Sequence, residues 1–268
     1  MTISTNHSRG AAAGARRTSH SALHVREPLH EQVRDHLVRS LASGEWKPGE
    51  VLPNESRLAD RFGVSISTVR AAIGRLVEAK VLARKQGKGT FVSLHAERRS
   101  IYQFFHVVRD DGLKQLPISE VLSLRRGQPD AESADLLRLP RKARLAEVFK
   151  IRNVLKVEGV PVVMSDIVVP CAMLPGLNAR VLADGGPTLY SVFQTRFGLN
   201  IVRTSEQLRA GRADAAAAGV FGLTTEDPVL HILRVAYTFN DVPCEVRRSR
   251  VDTRSHYYLQ DPSGALEG

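Results

Sequence analysis

Residues 53–92 carry two short helix patterns separated by a tight turn and followed by a glycine-rich hairpin. Gly63 follows the first pattern, and glycine best tolerates the φ > 0 conformation with which such a helix ends. Ser65 stands two residues later, where a serine hydroxyl can cap the next helix. In that second helix four apolar residues recur at helical spacing and are expected to pack inward. They are Val69, Ala72, Ile73 and Leu76.

The segment that follows predicts a basic hairpin. Residues 81–84 and 90–92 are expected to form two strands, joined by Lys85–Gly89, whose glycines allow close approach to a phosphate backbone or minor groove. The order helix, turn, helix and hairpin is typical of a winged helix-turn-helix domain, in which the second helix presents its first turn to base edges and phosphates. The alternative is a small helical domain that happens to carry a glycine-rich hairpin. It does not explain why turn, cap and wing all occur in order.

Charge is distributed unevenly along the chain. Residues 1–100 hold 17 basic and 9 acidic side chains, whereas residues 101–268 hold 21 and 19. The positive excess therefore lies with the winged pattern, as phosphate binding requires. Part of it belongs to residues 1–26, which have four arginines and no acid and are predicted to form a disordered basic tail. An organelle presequence is the alternative, but the apolar residues there are mostly alanine.

Several classes of protein are disfavoured by what the sequence contains. Only Cys171 and Cys244 occur, without metal-ligand spacing, which predicts a reducing, cytoplasmic location and no metal site. Pro161 and Asp166 interrupt the apolar run 160–169, so no membrane span is expected. Phosphate loops, nucleophile elbows and paired zinc histidines are not recognised in the sequence. We therefore expect neither an enzyme nor a cofactor.

The domain organisation follows from the change in pattern. Residues 27–93 are predicted to form the winged domain, residues 94–117 a linker, and residues 118–260 a second domain. The linker contains an aromatic stretch at 101–105 that could dock on the second domain or form a dimer contact. From residue 118 onward short strands dominate, with hairpin signals at Glu158-Gly159 and Asn240-Asp241.

Interspersed helices complete the prediction for the second domain. Asp130 and Thr188 are expected to cap two of them, and the alanine-rich run 213–220 to form another. The fold class predicted for the whole chain is α+β: a winged helix-turn-helix domain joined to an α+β domain with a mostly antiparallel sheet.

Four segments of the first domain resemble the DNA-binding domain of the GntR family of bacterial transcription regulators. They are Pro28–Val33, Gly44–Pro53, Val64–Leu76 and Gly87–Val92. The resemblance implies a homodimer on a short palindromic operator of double-stranded DNA, contacted by the helix start, the recognition helix and the wing. The candidate DNA-binding residues are Ser56, Arg57, Ser65, Ile66, Ser67, Thr68, Arg70, Gly87 and Lys88.

Two of these positions depart from the family pattern. Ile66 stands where the family usually has arginine, and Ser56 where it often has a charged side chain. Losing an arginine that could bind a guanine edge removes about 1–3 kcal/mol of base discrimination. We therefore expect an operator that differs from the usual family half-site, with a thymine methyl group against Ile66.

The second domain resembles the UTRA effector-binding domain of the HutC-like branch of that family. The segments that carry the resemblance are Ile118–Leu122, Arg152 with Glu158–Val162, Leu189-Tyr190, Arg196–Leu199, Asp227–Leu230 and Asn240–Glu245. The resemblance implies that a small metabolite binds in a cavity on one side of the sheet. It also implies a regulator whose operator affinity the metabolite controls.

Strand parity suggests which residues line that cavity. Glu245, Arg247 and Ser249 share one face of the last strand, and Arg234 and Thr238 share one face of its partner. Charged residues inside the other strands need a partner or a ligand, and a structural ion pair or an exposed face is the alternative. The candidate effector-binding residues are Arg152, Ser165, Glu206, Arg234, Glu245 and Arg247.

The chemistry of the effector is predicted from the residues that stand where the family often has charged side chains. Asn153, Leu155 and Ser165 stand where the family often has two arginines and a glutamate, which argues against a phosphosugar. The remaining arginines still favour an anion, and we expect a carboxylate-bearing metabolite. The resemblance to the family implies a repressor that such an effector releases from its operator. The alternative is a constitutive or architectural DNA-binding protein whose second domain only dimerises.

Overall fold

A computed structural model describes residues 28–95, 104–113, 115–139, 147–184 and 186–260. The predicted basic tail, residues 1–26, lies outside the described residues, and so do residues 96–103 of the predicted linker. We call residues 28–95 the winged unit and the described residues between 104 and 260 the sheet domain.

Three helices form the body of the winged unit: α1 (Leu29–Ala42), α2 (Glu55–Phe62) and α3 (Ile66–Glu78). Gly63 ends α2 in the left-handed conformation with φ 63°. Ser65 is the N-cap of α3. The turn between the two helices is therefore built as the sequence predicts, because both of its signals are local.

The wing consists of β1 (Leu82–Lys85) and β2 (Gly89–Val92), which pair antiparallel. Both strands lie within a residue of their predicted bounds. The four residues of α3 that were expected to face inward are all buried in one core with side chains of α1 and α2. Trp46 is buried in the same core. The loss of apolar exposure by these side chains is the main force that holds the winged unit together.

The sheet domain is built on a six-stranded sheet in the order β4-β5-β6-β9-β8-β7. Every neighbouring pair in it is antiparallel, as the sequence predicts. Glu158 and Gly159 turn the central hairpin with φ of 49° and 81°. The strands are β4 (Ile118–Gly127), β5 (Val148–Val157), β6 (Val160–Pro170), β7 (Arg203–Arg212), β8 (Pro228–Tyr237) and β9 (Pro243–Val251).

Helices cover both faces of this sheet. The first face packs against α5 and α6, and the second against α4 and α7. Their caps are the predicted Asp130 and Thr188 on α4 and α6, and Asp214 on α7. Among the described residues, none of the helices is long and apolar enough to cross a membrane. The bounds are α4 (Ala131–Leu136), α5 (Ala179–Asp184), α6 (Leu189–Phe197) and α7 (Ala215–Phe221).

A second, two-stranded sheet lies where the sequence predicted a linker. Its strands are β3 (Val107–Arg109) and β10 (His256–Tyr258), paired antiparallel. Phe104 and Phe105 precede β3 and are buried against the sheet domain. A three-residue strand is too short for its periodicity to be recognised, and its partner lies almost 150 residues away, so the pairing leaves no local signal.

The winged unit packs directly on the sheet domain. Phe239, in a 3₁₀ turn between β8 and β9, is buried in the core of the winged unit. Val202, just before β7, packs against the same core. The two parts therefore share apolar contacts.

Candidate nucleic-acid interface and ligand cavity

The first turn of α3 presents hydroxyl groups to solvent. Ser65 Oγ accepts a hydrogen bond from the Thr68 backbone N–H at 3.2 Å. The same Oγ lies 2.8 Å from Ser67 Oγ and 2.8 Å from Thr68 Oγ1. Ile66 stands beside them as an exposed apolar side chain. Hydroxyl groups and one exposed aliphatic side chain can contact phosphates, base edges and the thymine methyl group.

Arg70 extends from α3 to the carboxylate of Glu55, the first residue of α2. Arg70 Nε donates to Glu55 Oε2 at 2.8 Å, and Arg84 Nη2 of the wing donates to Oε1 at 3.4 Å. One carboxylate therefore connects α2, α3 and β1. The Arg70 side chain is 61% exposed, so this ion pair adds little to stability. Its guanidinium can exchange the carboxylate for a phosphate or a guanine edge.

The remaining predicted contact residues are exposed at the start of α2 and at the tip of the wing. Asn54 caps α2 by accepting from the Arg57 backbone N–H at 2.9 Å. The side chains of Ser56 and Arg57 lie on the surface. Gly87 has φ 69°, a conformation that other residues adopt only at a cost. Lys88 follows it as an exposed cation. The tip can therefore approach a phosphate backbone closely.

Replacing Ser65 by alanine is expected to lower the free energy of unfolding of the winged unit by about 1 kcal/mol, because the N-cap acceptor is lost. Ser67→Ala is the matched control, since the Ser67 hydroxyl bonds the cap and not the backbone. Its effect should stay below about 0.5 kcal/mol. Urea unfolding followed through Trp46, the single tryptophan, measures both. Equal losses in the two variants would contradict the assigned cap.

A cavity lies between the sheet and α6. Its volume is about 70 Å³, and its mouth is open to solvent. Its wall includes Asn153 of β5, Ser165 of β6, Arg234 of β8, and Arg247 and Ser249 of β9. The wall is thus formed by one face of four neighbouring strands.

The two arginines of the wall are each held by a carboxylate behind them. Arg247 donates from Nε and Nη2 to the two oxygens of Glu245, at 2.9 and 3.0 Å. Arg234 donates from Nε to Glu206, and from Nη2 to the Phe104 carbonyl at 2.6 Å. Glu245 is fully buried, at 0% exposure. The guanidinium groups are therefore fixed in place on the wall, and N–H groups outside these bonds can donate to an oxygen of a ligand.

Two tyrosines complete these ion pairs. Tyr190 Oη donates to Glu245 Oε1 at 2.8 Å, and Tyr258 Oη donates to Glu206. Burial raises the pKa of both phenols, so both stay protonated donors. Burial alone would also raise the pKa of Glu206, but the charge of Arg234 and the hydrogen bonds outweigh it. The pKa of Glu206 therefore lies below its ordinary value, and the carboxylate is ionised.

Other polar groups of the wall are only partly satisfied. Ser165 Oγ and Ser249 Oγ bond each other at 2.8 Å. Asn153 Nδ2 donates to Ser119 Oγ at 3.1 Å, whereas its buried Oδ1 has no hydrogen-bond partner among the described residues. The same holds for the buried Nδ1 of His95. Buried polar atoms without partners are rare in proteins, and in a cavity they indicate where a ligand can bond.

The structure brings most, but not all, of the predicted effector residues together. Arg152 lies on the opposite face of the sheet, where its Nε donates to Asp166 Oδ1 at 2.7 Å. The expected position of Arg152 in the cavity is therefore corrected: the odd-numbered Asn153 faces the cavity, and successive side chains of a strand alternate. Thr238 lies beyond the end of β8. Ser165, Arg234 and Arg247 line the cavity, whereas Glu206 and Glu245 are not part of its lining and bond the two arginines.

Several polar groups of the cavity, among them Tyr190, Asn153 and His95, were not singled out as ligand contacts by the sequence patterns. Tyr190 carried a weak signal, a polar tip within an apolar helix. Asn153 was noted only as a replacement for arginine, and His95 carried no signal because its partners are about a hundred residues away. Within the described ranges, no cluster of three or more His, Cys, Asp or Glu side chains could hold a metal ion.

The buried His95 predicts a loss of stability in acid. Burial lowers the pKa of His95 from 6.5 to about 4. Below pH 6.5 the unfolded chain binds a proton there that the folded chain does not, so stability should fall as the pH drops from 6.5 towards 4. Between pH 7 and pH 5 the loss should be on the order of 2 kcal/mol. Urea unfolding of the protein and of His95→Asn at both pH values measures it; the same pH dependence in both would contradict the assignment.

A helix-turn-helix that presents hydroxyl and arginine side chains, joined to a sheet domain with a cavity lined by two arginines, is typical of DNA-binding regulators that carry an effector domain. Residues 29–92 match the model of the bacterial regulatory proteins of the gntR family, and residues 113–256 match the UTRA domain. The chain belongs to the GntR family of bacterial transcription regulators and carries a UTRA domain. The predicted family is confirmed.

Proteins similar to this chain are named as transcription regulators too. The HTH-type transcriptional regulator SmoD of Agrobacterium fabrum is 27% identical, over 82% of this chain and 89% of that protein. The mannosyl-D-glycerate transport/metabolism system repressor MngR of Escherichia coli is 26% identical, over 87% and 95%. The solved ligand-binding domain of a protein assigned to the GntR family in Bordetella bronchiseptica is 31% identical, covers 60% of this chain and 98% of its own, and superposes with a TM-score of 0.56. The chain is thus a transcription regulator and not an enzyme.

Proposed function

We propose that the protein is a repressor that leaves its operator when a small carboxylate-bearing metabolite binds in the cavity. Two guanidinium groups on the cavity wall, Arg234 and Arg247, carry this proposal, since the carboxylates that neutralise them stand behind them. Oxygen atoms of a ligand would accept from the N–H groups of these two arginines that lie outside the ion pairs. The effector residues proposed are Ser165, Glu206, Arg234, Glu245 and Arg247, the two glutamates acting by orienting the arginines.

We further propose that the operator is a palindrome bound by a homodimer. A twofold pair of winged units presents two copies of α3 to successive major grooves. Each copy would use the hydroxyl cluster of Ser65 and Arg70 for base edges and phosphates, and Ile66 for a thymine methyl group. Ser56, Arg57, Ser67, Thr68, Gly87 and Lys88 are the other contact residues that we propose.

Effector and operator would be linked through a two-state equilibrium. A ligand that binds one arrangement of the two winged units more tightly than the other shifts the population by its differential affinity, typically about 1–3 kcal/mol. The apolar contact between Phe239 and the core of the winged unit supports this link, because it joins the two parts of the chain directly.

A melting experiment tests the effector function. D-glycerate, mannosyl-D-glycerate and fructoselysine are suitable compounds, since relatives are named for the last two. A compound present at a hundred times its Kd should stabilise the protein by about 2.7 kcal/mol and weaken operator binding. Arg152→Ala, on the opposite face of the sheet, should show the same shift. If polyhydroxy carboxylates change neither the melt nor the operator affinity, the carboxylate effector is contradicted; if no metabolite in a wider screen of bacterial catabolites does, the chain is a constitutive DNA-binding protein instead.

A further inference from the structure

His95 lies at the point where the winged unit meets the cavity. It follows β2 by three residues and is the last described residue of the winged unit. Its side chain is 6% exposed and lines the cavity beside Phe104 and Tyr190, with ring centroids 5.6 and 6.3 Å away. A residue of the winged unit therefore forms part of the wall of the sheet-domain cavity.

Gln194 of α6 holds the backbone of this segment. Its Oε1 accepts from the His95 backbone N–H at 2.8 Å, and its Nε2 donates to the Ser93 carbonyl at 2.9 Å. The same Nε2 donates to Asn200 Oδ1 at 2.7 Å, so each bond is consistent with the others. Gln194 is buried. One amide thus attaches the chain that leaves the wing to the helix that covers the cavity.

The ring of His95 is fixed in a single tautomer by its partner. Its Nε2 accepts the backbone N–H of Ile201 at 3.1 Å, so Nε2 carries no proton. A neutral imidazole then has its proton on Nδ1. That Nδ1 is buried and has no hydrogen-bond partner among the described residues. The result is a donor of fixed position at the cavity wall, and leaving it unbonded carries an energetic cost.

We propose that the Nδ1–H of His95 donates to an oxygen of the effector, and that this bond stabilises the attachment of the winged unit to the sheet domain. The inference rests on the effector function proposed above and adds the residue through which the cavity acts on the winged unit. Occupation of the cavity would favour the docked arrangement, because the His95 ring lies in the cavity wall in that arrangement. A winged unit fixed in this way loses the freedom to match its partner's half-site, which explains release from the operator.

Two substitutions separate the roles of the ring nitrogens. His95→Asn keeps an N–H donor near the position of Nδ1 and loses the acceptor for Ile201. His95→Gln keeps an acceptor near Nε2 and loses the donor towards the cavity. With D-glycerate as the probe, His95→Gln should bind at least about tenfold more weakly than the wild type, the factor expected for one hydrogen bond to a charged group. His95→Asn should stay within about threefold.

Ring ¹⁵N chemical shifts of the full chain, with His95 assigned from the His95→Asn spectrum, test the geometry directly. We expect a protonated Nδ1 and a bare Nε2 at neutral pH, and a shift of Nδ1 when D-glycerate is added. A protonated Nε2 would overturn the inference. The inference would also be overturned if D-glycerate moved the Arg234 and Arg247 side-chain signals but left the His95 signals unchanged. In that case the proposed effector site would hold without the role proposed for His95. A titration that moves none of these signals counts against the carboxylate effector itself and against this inference with it.

Trp46 reports the docking, because it is the single tryptophan and lies in the winged unit. Time-resolved anisotropy of its fluorescence should contain a fast component from the winged unit in Gln194→Ala. D-glycerate should reduce any such component in the wild type and in His95→Asn, but not in His95→Gln. Equal responses in His95→Asn and His95→Gln would contradict the proposed link between Nδ1 and docking.

Discussion

Arg70→Ala is expected to weaken binding to the operator by about 1–3 kcal/mol per half-site, up to a hundredfold or more. Arg70 is mostly exposed near the N-terminal end of α3, where it forms an exposed ion pair with Glu55. The melting temperature should hardly change, since such a pair contributes little to stability. Anisotropy titration of a labelled operator duplex at fixed salt measures the loss.

Arg75→Ala is the matched control for this prediction. Arg75 lies on the same helix, carries the same charge, and is exposed beside Glu78 at 3.4 Å. It belongs to the last turn of α3, away from the residues that would meet base edges. Replacing Arg75 should therefore lower the operator affinity only slightly, and this difference should vanish at higher salt. Equal losses for Arg70→Ala and Arg75→Ala would mean that α3 contributes only general positive charge.

Glu245→Ala is expected to destabilise the sheet domain by about 3–5 kcal/mol, because it leaves a buried guanidinium without its partner. Glu245 is fully buried and accepts from Arg247 at two positions and from Tyr190. Urea unfolding measures the free energy. A substitution of Glu245 would therefore reduce the response to effector through loss of structure, and not only through loss of a contact.

Arg152→Ala is the control, since it also breaks an ion pair between strands. Its side chain is 40% exposed, and Asp166 retains Arg250 as a partner at 2.7 Å. The free energy of unfolding should fall by less than about 1 kcal/mol, and the response to effector should be unchanged. A loss for Glu245→Ala no larger than that for Arg152→Ala would contradict the assigned role of the buried ion pair.

The winged unit could be predicted almost completely from the sequence, because its signals are local. The left-handed Gly63 and the capping Ser65 act within a few residues, and the apolar spacing of α3 fixes which side faces the core. Helix caps at Asp130 and Thr188 were predictable for the same reason. Contacts between residues far apart in the chain are not encoded in this way.

The cavity depends on such distant contacts. The alternation of side chains predicts which residues of one strand share a face. It does not predict which face of β5 lies on the same side of the sheet as a given face of β9, because that depends on how both strands pair with β6. Arg152 and Asn153 are neighbours in sequence, and the register alone decides that Asn153 reaches the cavity. The pairing of Arg234 with Glu206 and of Arg247 with Glu245 depends on the same register. His95 could not be found at all from the sequence, since its partners belong to another domain.

Selection from randomised DNA duplexes with the purified full chain tests the central claim most directly. We expect enrichment of a palindrome with two half-sites about one helical turn apart, and loss of the enrichment with Arg70→Ala. Equal binding of all duplexes, even at low salt, would contradict the assignment of α3 as a recognition helix.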